Sequence, residues 1–377
     1  MNSLFCSHSH LQPSTFQQRN FVMLKDIHVQ NYRGIKDLKI KDFKRINLLV
    51  GDNNSGKTSV LEAVGFGANY DFSCALAFED FREAGKLSIF KNLQDPKIWN
   101  DFEYLFFEKN LRESFKIKSD FDENDQPKTI ELKASFSKEA GNFPEIQTTN
   151  RERILIDKNN FNTLIAEYSE NSSNKAVLGF SRDGTYNFSS NLCRFFPLVF
   201  ISSAPAKSSE LIELMKKVAQ ENGENFFSEI AQKIDSKIKA IKTAGDTILA
   251  DIGKISVPLK YMGDGLVNVL NILLRMRKLR NGILLIDEIE NGLHWKTQTI
   301  LWRAVIAAAV EYKVQIIATT HSRDTIKALS EAYEEEKSLL GEDEIRVFQL
   351  YKNDKNFVET LEAKTVKGMI KNNYELR

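Results

Sequence analysis

Cysteine is scarce in this chain of 377 residues, which has only three: Cys6, Cys74 and Cys193. They lie far apart and form no C-x-x-C pair. This spacing excludes the dense disulfide framework of small secreted domains and argues against a zinc ribbon. Unpaired cysteines are typical of a reducing compartment, so the sequence favours a cytoplasmic location.

Long apolar runs are also absent. The longest are segments such as Phe195 to Ile201 and Ala304 to Val310. A helix that spans a bilayer needs roughly 18–20 consecutive apolar residues, far more than these segments supply. The sequence therefore predicts no membrane span, which excludes an integral transporter but not a soluble subunit of one.

An excess of one charge is missing too, since 52 Lys and Arg residues face 51 Asp and Glu residues and leave a net charge of +1. A chain so balanced has no dominant field, so binding to DNA would require a local patch of cations. Two candidate patches are Lys36 to Arg45 and Arg275 to Arg280. For the first patch a solvated strand face is the favoured interpretation, and contact with DNA is the alternative.

The sequence patterns divide the chain into four parts. Residues 1–22 are polar and irregular, and we predict that they are disordered or a non-native extension, with Met23 as a candidate start. Residues 23–80 and 256–377 carry the chemical motifs described below. Residues 81–255 lie between them and are predicted to form a mixed α+β insertion or second lobe.

The predicted insertion contains signals for both strands and helices. Thr129 to Phe136 alternates between apolar and polar residues, and Lys175 to Phe188 has the pattern of a hairpin about Asp183 and Gly184. Apolar residues from Phe226 to Ile241 recur instead at helical spacing.

The strongest motif is the stretch Gly51 to Thr58, which fits the pattern G-x-x-x-x-G-K-[ST]. It follows the apolar run Ile46 to Val50, a predicted buried strand, and precedes a predicted helix. Glycines allow the backbone N–H groups to surround phosphates, while Lys57 adds a mobile cation and Thr58 a hydroxyl for Mg²⁺. The predicted nucleotide-binding residues here are Gly51, Asn53, Asn54, Ser55, Gly56, Lys57, Thr58 and Ser59.

Two further apolar runs end in residues that can do chemistry. The run Gly282 to Ile286 leads into Asp287 and Glu288, and the run Val314 to Thr320 leads into His321. Ligands of open α/β sheets bind at the carboxyl ends of the strands, so these residues are predicted to share one site with the phosphate loop. We expect Asp287 to hold Mg²⁺ with Thr58, Glu288 to activate a water, and His321 to sense the γ-phosphate.

Gly263, Asp264 and Gly265 open a predicted helix whose buried stripe includes Leu266, Val269 and Leu270. Its glycine-rich start directs backbone N–H groups outward. A helix start of this kind can bind a phosphate.

Together these motifs and the segment Asn31 to Gly34 resemble the ABC-type ATPase heads of the RecF, Rad50 and SMC group. They are more similar to the AAA-15/AAA-21 ATPases and to the ATPase half of the OLD nucleases. The resemblance covers roughly residues 24–80 and 256–350. It implies an α/β fold of the P-loop NTPase class, an ABC-ATPase-like head that is split in sequence and carries a mixed α+β insertion.

The resemblance also implies a mechanism, in which Mg-ATP is sandwiched between two heads of a homodimer and hydrolysis releases them. By position, Gly263, Asp264 and Gly265 resemble the ABC signature, although the usual serine before the glycine is absent. Asn291 to His294 resembles the D-loop, and Arg33 would approach the nucleotide.

The implied context is DNA repair or anti-phage defence, with DNA as a candidate partner. Only 56 residues follow His321, and they show no acidic nuclease cluster. A nuclease or toxin effector would then be a separate protein.

Three alternatives remain open at this point. A metabolic P-loop kinase or NTPase would share the phosphate loop but would not explain His321. An ABC transporter motor subunit is disfavoured by the altered signature and by the β-rich middle. An ATP-binding scaffold that hardly turns over would keep all the binding motifs.

Overall fold

The structure is a computed structural model that describes residues 21–68, 103–137, 163–171, 174–181, 186–189, 196–202, 208–352 and 357–372. Within these ranges the strands are β1 (Val22–Tyr32), β2 (Ile35–Ile40), β3 (Ile46–Val50), β4 (Phe115–Glu123), β5 (Gln126–Ser137), β6 (Thr163–Glu170), β7 (Asn174–Ser181), β8 (Tyr186–Ser189), β9 (Leu198–Ile201), β10 (Ala240–Ala244), β11 (Thr247–Asp251), β12 (Ser256–Pro258), β13 (Ile283–Ile286), β14 (Gln315–Thr320), β15 (Ile345–Tyr351) and β16 (Phe357–Glu362). The helices are α1 (Lys57–Ala68), α2 (Ser208–Gln220), α3 (Glu224–Ile234), α4 (Asp264–Leu279), α5 (Trp295–Glu311), α6 (Arg323–Leu340) and α7 (Ala363–Lys371).

A six-stranded sheet forms the centre of the molecule, in the order β16-β15-β3-β14-β13-β9. Its strands are parallel except for the edge strand β16. Strands β3, β13 and β14 are buried along their whole length, as expected for parallel strands that are covered on both faces. Val50 pairs with Thr320 and Ile286 with Ala318, so these three strands end side by side.

Two hydrophobic clusters cover the two faces of this sheet. Leu48 and Val50 of β3 pack in the cluster formed with helices α4, α5 and α6. Leu49 points to the opposite face, where it joins the cluster that contains α1 and strands β1, β4 and β5. Helix α1 is buried from Ser59 to Ala68 because it lies among these strands and the central sheet. Its one charged residue in that stretch is Glu62.

A second sheet is antiparallel and has seven strands in the order β2-β1-β4-β5-β6-β7-β8. Residues 81–255, which the sequence predicts to be a mixed α+β insertion or second lobe, contribute strands to this sheet and to the central one. Strands β4 to β8 extend the sheet that β1 and β2 begin, and β9 pairs with β13 in the central sheet. Hydrogen bonding between strands depends on their position in space, so a segment far along the chain can complete a sheet begun by another. The exact domain boundaries remain predictions.

Several local predictions can be compared with the structure. Strand β1 begins at Val22, one residue before the predicted boundary, and residues 1–20 lie outside the described residues. Strands β7 and β8 pair as the predicted hairpin, although Asp183 and Gly184 lie outside those residues as well.

The helical prediction from Phe226 to Ile241 is too long. Helix α3 ends at Ile234 because Asp235 adopts an extended conformation, and Ile241 belongs to β10 of a small three-stranded sheet. Both Ile238 and Ile241 are nevertheless buried. No helix in the described ranges combines the length and the apolar composition that are needed to cross a bilayer.

Candidate active site

The turn from β3 into α1 is shaped by glycine. Gly51 has φ 148° and Gly56 has φ 98°, and a Cβ atom on Gly51 would lie 2.5 Å from the carbonyl oxygen of Leu350. A side chain at Gly51 is therefore excluded both by its neighbours and by its backbone conformation. Turns that mix positive and negative φ direct successive N–H groups toward one point, which is an anion-binding arrangement.

The other loop residues divide between exposed and buried positions. Asn53 and Asn54 are exposed, whereas Ser55 and Ser59 are buried. The Ser55 hydroxyl has no hydrogen-bond partner among the described residues.

Lys57 begins α1 and folds back over the loop. Its Nζ donates hydrogen bonds to the carbonyl oxygens of Gly51 (2.7 Å) and Asp52 (2.8 Å). Burial lowers the pKa of Lys57, while the carboxylates of Asp287 and Glu288 act in the opposite direction. A lysine placed in this way can exchange two neutral carbonyl oxygens for the charged oxygens of a phosphate, which are stronger acceptors.

Asp287 follows β13 and is held by two threonines. Its Oδ1 accepts hydrogen bonds from the Thr58 hydroxyl at 3.2 Å and from the Thr319 hydroxyl at 2.6 Å. Thr319 also accepts a hydrogen bond from the backbone N–H of Glu288 at 2.8 Å. The phosphate loop, the end of β13 and the end of β14 are thus joined in one hydrogen-bond network.

The oxygen ligands at this point suit a magnesium ion. Thr58 and Asp287 supply one hydroxyl and one carboxylate, both hard oxygen donors. In the part of the chain that the structure describes, His, Cys, Asp and Glu form no group of three that could hold a metal ion. A pair of protein donors fits Mg²⁺, which usually keeps waters and substrate phosphates as its other ligands.

Glu288 has an unusual backbone conformation for a glutamate. Its φ is 52°, in the left-handed region that non-glycine residues seldom adopt, and its side chain is 42% exposed. Such a conformation costs roughly 1–3 kcal/mol and is concentrated at functional sites. It carries the carboxylate out of the strand direction and toward His321, whose Nδ1 lies 3.9 Å from Glu288 Oε1.

His321 has a second acidic neighbour that the sequence reading did not single out. Glu290 Oε1 accepts a hydrogen bond from the backbone N–H of His321 at 3.2 Å and lies 3.5 Å from its Nδ1. The sequence signal was present, since Glu290 is a third acid within four residues after a buried strand. Its position between the predicted Walker pair of acids and the predicted D-loop, Asn291 to His294, left it without an assigned role.

Arg33 lies in the turn between β1 and β2. Its Nε is 2.5 Å from Glu62 Oε2 and donates a hydrogen bond to the Tyr32 hydroxyl, which itself donates to Glu62. Burial, followed by the charge of Glu62, raises the pKa of Tyr32. Arg33 therefore compensates a carboxylate buried in α1, four residues after Thr58. Its contact with the nucleotide, which the resemblance implies, stays a prediction.

The signature-like segment, Gly263 to Gly265, and the helix that it opens make contacts within their own chain. A Cβ atom on Gly265 would lie 3.1 Å from the carbonyl oxygen of Gly292, and Asn268 donates a hydrogen bond to the carbonyl oxygen of Asn291 at 2.7 Å. Gly265 is therefore small because the start of α4 packs against the D-loop segment. Gly263 differs, because it has φ 92° and a Cβ atom there would meet, apart from its chain neighbours, no described residue within 4 Å.

Two large exposed side chains flank this region and were missed by the sequence analysis. Tyr261 is 69% exposed and precedes Gly263 by two residues, and Trp295 is 57% exposed at the start of α5. Exposed apolar side chains beside the two motifs make this side a candidate contact surface. The sequence signal that could have identified them is their position next to the signature-like motif and the D-loop motif.

Two known proteins that resemble this chain match it over very different lengths. A protein of Helicobacter pylori described as an ATP/GTP phosphatase is 24% identical over 342 residues, which are 83% of this chain and 89% of that protein. An uncharacterized protein of Methanocaldococcus jannaschii is 45% identical over 42 residues, which are 11% of this chain and 19% of that protein.

Solved structures of SMC head domains are similar in shape. The SMC head domain of Thermotoga maritima covers 90% of this chain and 99% of its own, with 12% identity and a TM-score of 0.47. The Smc head domain of Pyrococcus furiosus, solved with the C-terminal domain of ScpA, covers 93% and 99% with 12% identity and a TM-score of 0.48.

A family model described as an AAA ATPase domain, AAA_15, matches residues 23–326. This match spans the phosphate loop, Asp287, Glu288 and His321, and it joins the two motif-bearing parts across the β-rich middle. The resemblance drawn from the motifs is thereby confirmed, as is the α/β P-loop fold class. The chain belongs to the AAA_15 family of AAA ATPase domains and is an ATPase.

Proposed function

We propose that this ATPase binds Mg-ATP and works in the cytoplasm as a nucleotide-gated homodimer in DNA repair or anti-phage defence, with a separate nuclease or toxin effector. ATP would join the two heads, and its hydrolysis would release them. The exposed surface around Gly263, Tyr261 and Trp295 is the observation that carries the proposal.

The residues of one chain supply the binding and hydrolytic groups in this proposal. Lys57 and the loop N–H groups would bind the phosphates, and Thr58 and Asp287 would hold a magnesium ion, which would supply positive charge against the phosphates. Glu288 takes a proton from the attacking water, and His321 contacts the γ-phosphate. The hydrogen bonds among Thr58, Asp287 and Thr319 support this division, because they fix Asp287 and leave the more exposed Glu288 available for a water.

A second copy would supply the groups that close the site. The open backbone at Gly263 can approach a phosphate bound by another chain, since among the described residues only its two chain neighbours could stand within 4 Å of a Cβ atom there. Tyr261 and Trp295 would be buried by the same contact, and burial of such side chains contributes strongly to association. The proposal thus accounts for both the open glycine and the exposed aromatics.

The charges bear on the DNA part of the proposal. Within the predicted patches, Lys44 pairs with Asp42, Arg275 with Glu210, and Arg277 with Glu221. These cations are partly neutralised within the chain, which narrows the DNA contact to exposed residues such as Lys39 and Lys41. We therefore expect DNA binding to be weak in the monomer and to appear when two heads meet.

Light scattering on the Glu288→Gln protein tests the gating. We expect a dimer with ATP and a monomer with ADP or without nucleotide, because the amide removes the general base but keeps the binding groups. Adding duplex DNA at low and high salt tests the DNA contact, which should require ATP and weaken with salt. A protein that stays monomeric with ATP, or a dimer indifferent to nucleotide, contradicts the gated homodimer.

A further inference from the structure

We propose that Glu290 is a positioning residue for ATP hydrolysis, which fixes His321 and keeps Glu288 free to act on water. The inference rests on the proposed roles of Glu288 and His321 and does not depend on DNA or on an effector.

Glu290 contacts two atoms of His321 through one carboxylate oxygen. Its Oε1 accepts the backbone N–H at 3.2 Å and lies 3.5 Å from the ring Nδ1, whereas Glu288 Oε1 is 3.9 Å from the same nitrogen. An acceptor shared by the main chain and the ring of one histidine restricts the orientation of that ring. The nearer and better anchored carboxylate is therefore Glu290.

The carboxylates of Glu290 and Glu288 also differ in burial. The side chain of Glu290 is 10% exposed, against 42% for Glu288. Glu290 Oε2 is buried and has no hydrogen-bond partner among the described residues. Leaving a buried carboxylate oxygen without a partner costs free energy, so such an atom calls for an explanation other than stability. No metal-binding group of three residues is found there in the described ranges.

The chemistry of imidazole indicates what the contact through Glu290 Oε1 does for His321. When one ring nitrogen donates a hydrogen bond to a carboxylate, the tautomer and the direction of the other nitrogen are both set. With Nδ1 directed to Glu290, His321 presents Nε2 in a single direction, where it can meet the γ-phosphate or its water. Without Glu290, the nearest acid to Nδ1 would be Glu288, and a hydrogen bond between them would occupy the base.

A double-mutant cycle tests the inference, with Glu290→Ala, His321→Ala and the two changes combined. We expect Glu290→Ala to lower kcat by about 10–100-fold, the usual cost of removing a residue that orients a functional histidine. The dissociation constant for ATP should stay within about threefold. In the His321→Ala background the same change should alter kcat by less than about twofold, because a residue that acts through His321 has no further effect once His321 is absent.

Two conservative variants complete the test. Glu290→Gln keeps an oxygen that can accept from His321 and should recover most of the rate, whereas a general base would not be rescued by an amide. Glu290→Asp retracts the carboxylate by one methylene group and should slow hydrolysis only when His321 is present, which keeps the cycle usable if the alanine variant does not fold.

The outcomes separate this inference from the proposed function. If Glu288→Gln and His321→Ala leave hydrolysis unchanged, the proposed roles of those residues are wrong. If both slow it but the effects of Glu290→Ala and His321→Ala simply multiply, or ATP binding is lost with Glu290, then only the positioning role is wrong. Light scattering on each variant under the assay conditions ensures that a change in assembly is not taken for a change in rate.

Discussion

The two sides of the nucleotide site differ in how far one chain completes them. On the phosphate-loop side, Lys57, Thr58 and Asp287 all have hydrogen-bond partners within the chain, and they start or follow strands and helices that are buried. On the signature-like side, Gly263 faces open space and Tyr261 and Trp295 are largely exposed. The first side has the character of an interior and the second that of a surface.

This difference predicts that nucleotide chemistry and contact with a second head can be disrupted by different substitutions. ATP binding and proton transfer depend on groups that the central sheet holds in place. A substitution of one such group should therefore disturb the others in the same hydrogen-bond network. Contact with a second head depends on exposed groups that contribute little to the fold, so it should be lost without loss of stability. The start of α4 lies between these cases, because Gly265 packs on the D-loop segment while Gly263 remains open.

The largest expected effect is on the phosphate-loop side. Glu288→Gln should lower kcat by about 10²–10⁴-fold, because the amide has nearly the same size but accepts a proton far less readily. ATP binding should survive, since Lys57, Thr58 and Asp287 are untouched. Phosphate release under saturating ATP measures the rate, and Glu342→Gln, an exposed acid after α6, is the matched control. Equal rates in the two variants would remove Glu288 from the mechanism.

Lys57→Ala should weaken ATP binding by at least about 10–100-fold, the effect expected when a charged donor to a phosphate is removed. Its burial and its contacts at Gly51 and Asp52 place the ammonium at the loop, where no other lysine or arginine of the motif can replace it. Titration with a fluorescent ATP analogue measures the affinity. Lys39→Ala, an exposed lysine on β2, should bind as the unaltered protein does, and unchanged affinity in Lys57→Ala would contradict the assignment.

The phosphate-loop side was the more predictable of the two. Continuous aliphatic runs identify β3, β13 and β14 as buried strands, and the motif residues at their ends then converge because parallel strands share one carboxyl edge. The positions of Lys57, Asp287 and His321 follow from local sequence alone.

What could not be predicted depends on contacts between distant residues. Glu290 and His321 are separated by 31 residues, and nothing in either motif shows that they touch. The ion pair between Arg275 and Glu210 also joins residues that are distant in sequence. It partly neutralises a segment that looks cationic in the sequence. Helix α3 was predicted too long because Ile241 continues its apolar spacing although it lies in a strand.

On the surface side we expect a smaller effect. Tyr261→Ser and Trp295→Ser should each raise the dissociation constant of the ATP-bound Glu288→Gln dimer by about tenfold, as loss of a buried aromatic at an interface commonly does. Light scattering across a range of concentrations measures it. Leu339→Ser is the matched control, because Leu339 is 47% exposed but lies roughly 24 Å along α6 from its start near the site. Equal weakening in all three variants would contradict a specific interface.

The smallest effect concerns a charged cluster that belongs to neither side. Arg346 of β15 is buried and bridges Asp42 and Asp343, and Lys44 contacts the same two acids. Hydrogen bonding from Arg346, followed by that from Lys44, lowers the pKa of Asp343 to about 2. A folded-state pKa below the unfolded value means that this carboxylate stabilises the fold above about pH 4. That contribution is lost as the pH falls toward 2.

Asp343→Asn should therefore reduce the free energy of unfolding at pH 7, by less than about 1 kcal/mol because Asp343 is 54% exposed and its ion pair is screened by solvent. Urea unfolding of both proteins at pH 7, 5, 4 and 3 measures the difference. We expect the gap to be constant down to about pH 4 and to narrow below it, as the original carboxylate takes up a proton and resembles the amide. The ATPase rate at pH 7 should be unchanged, because this cluster joins β15 to the residues before β3 and its ion pairs, among the residues that the structure describes, involve no residue of the nucleotide site. A gap that persists undiminished at pH 3 would mean that packing, and not charge, sets the role of Asp343.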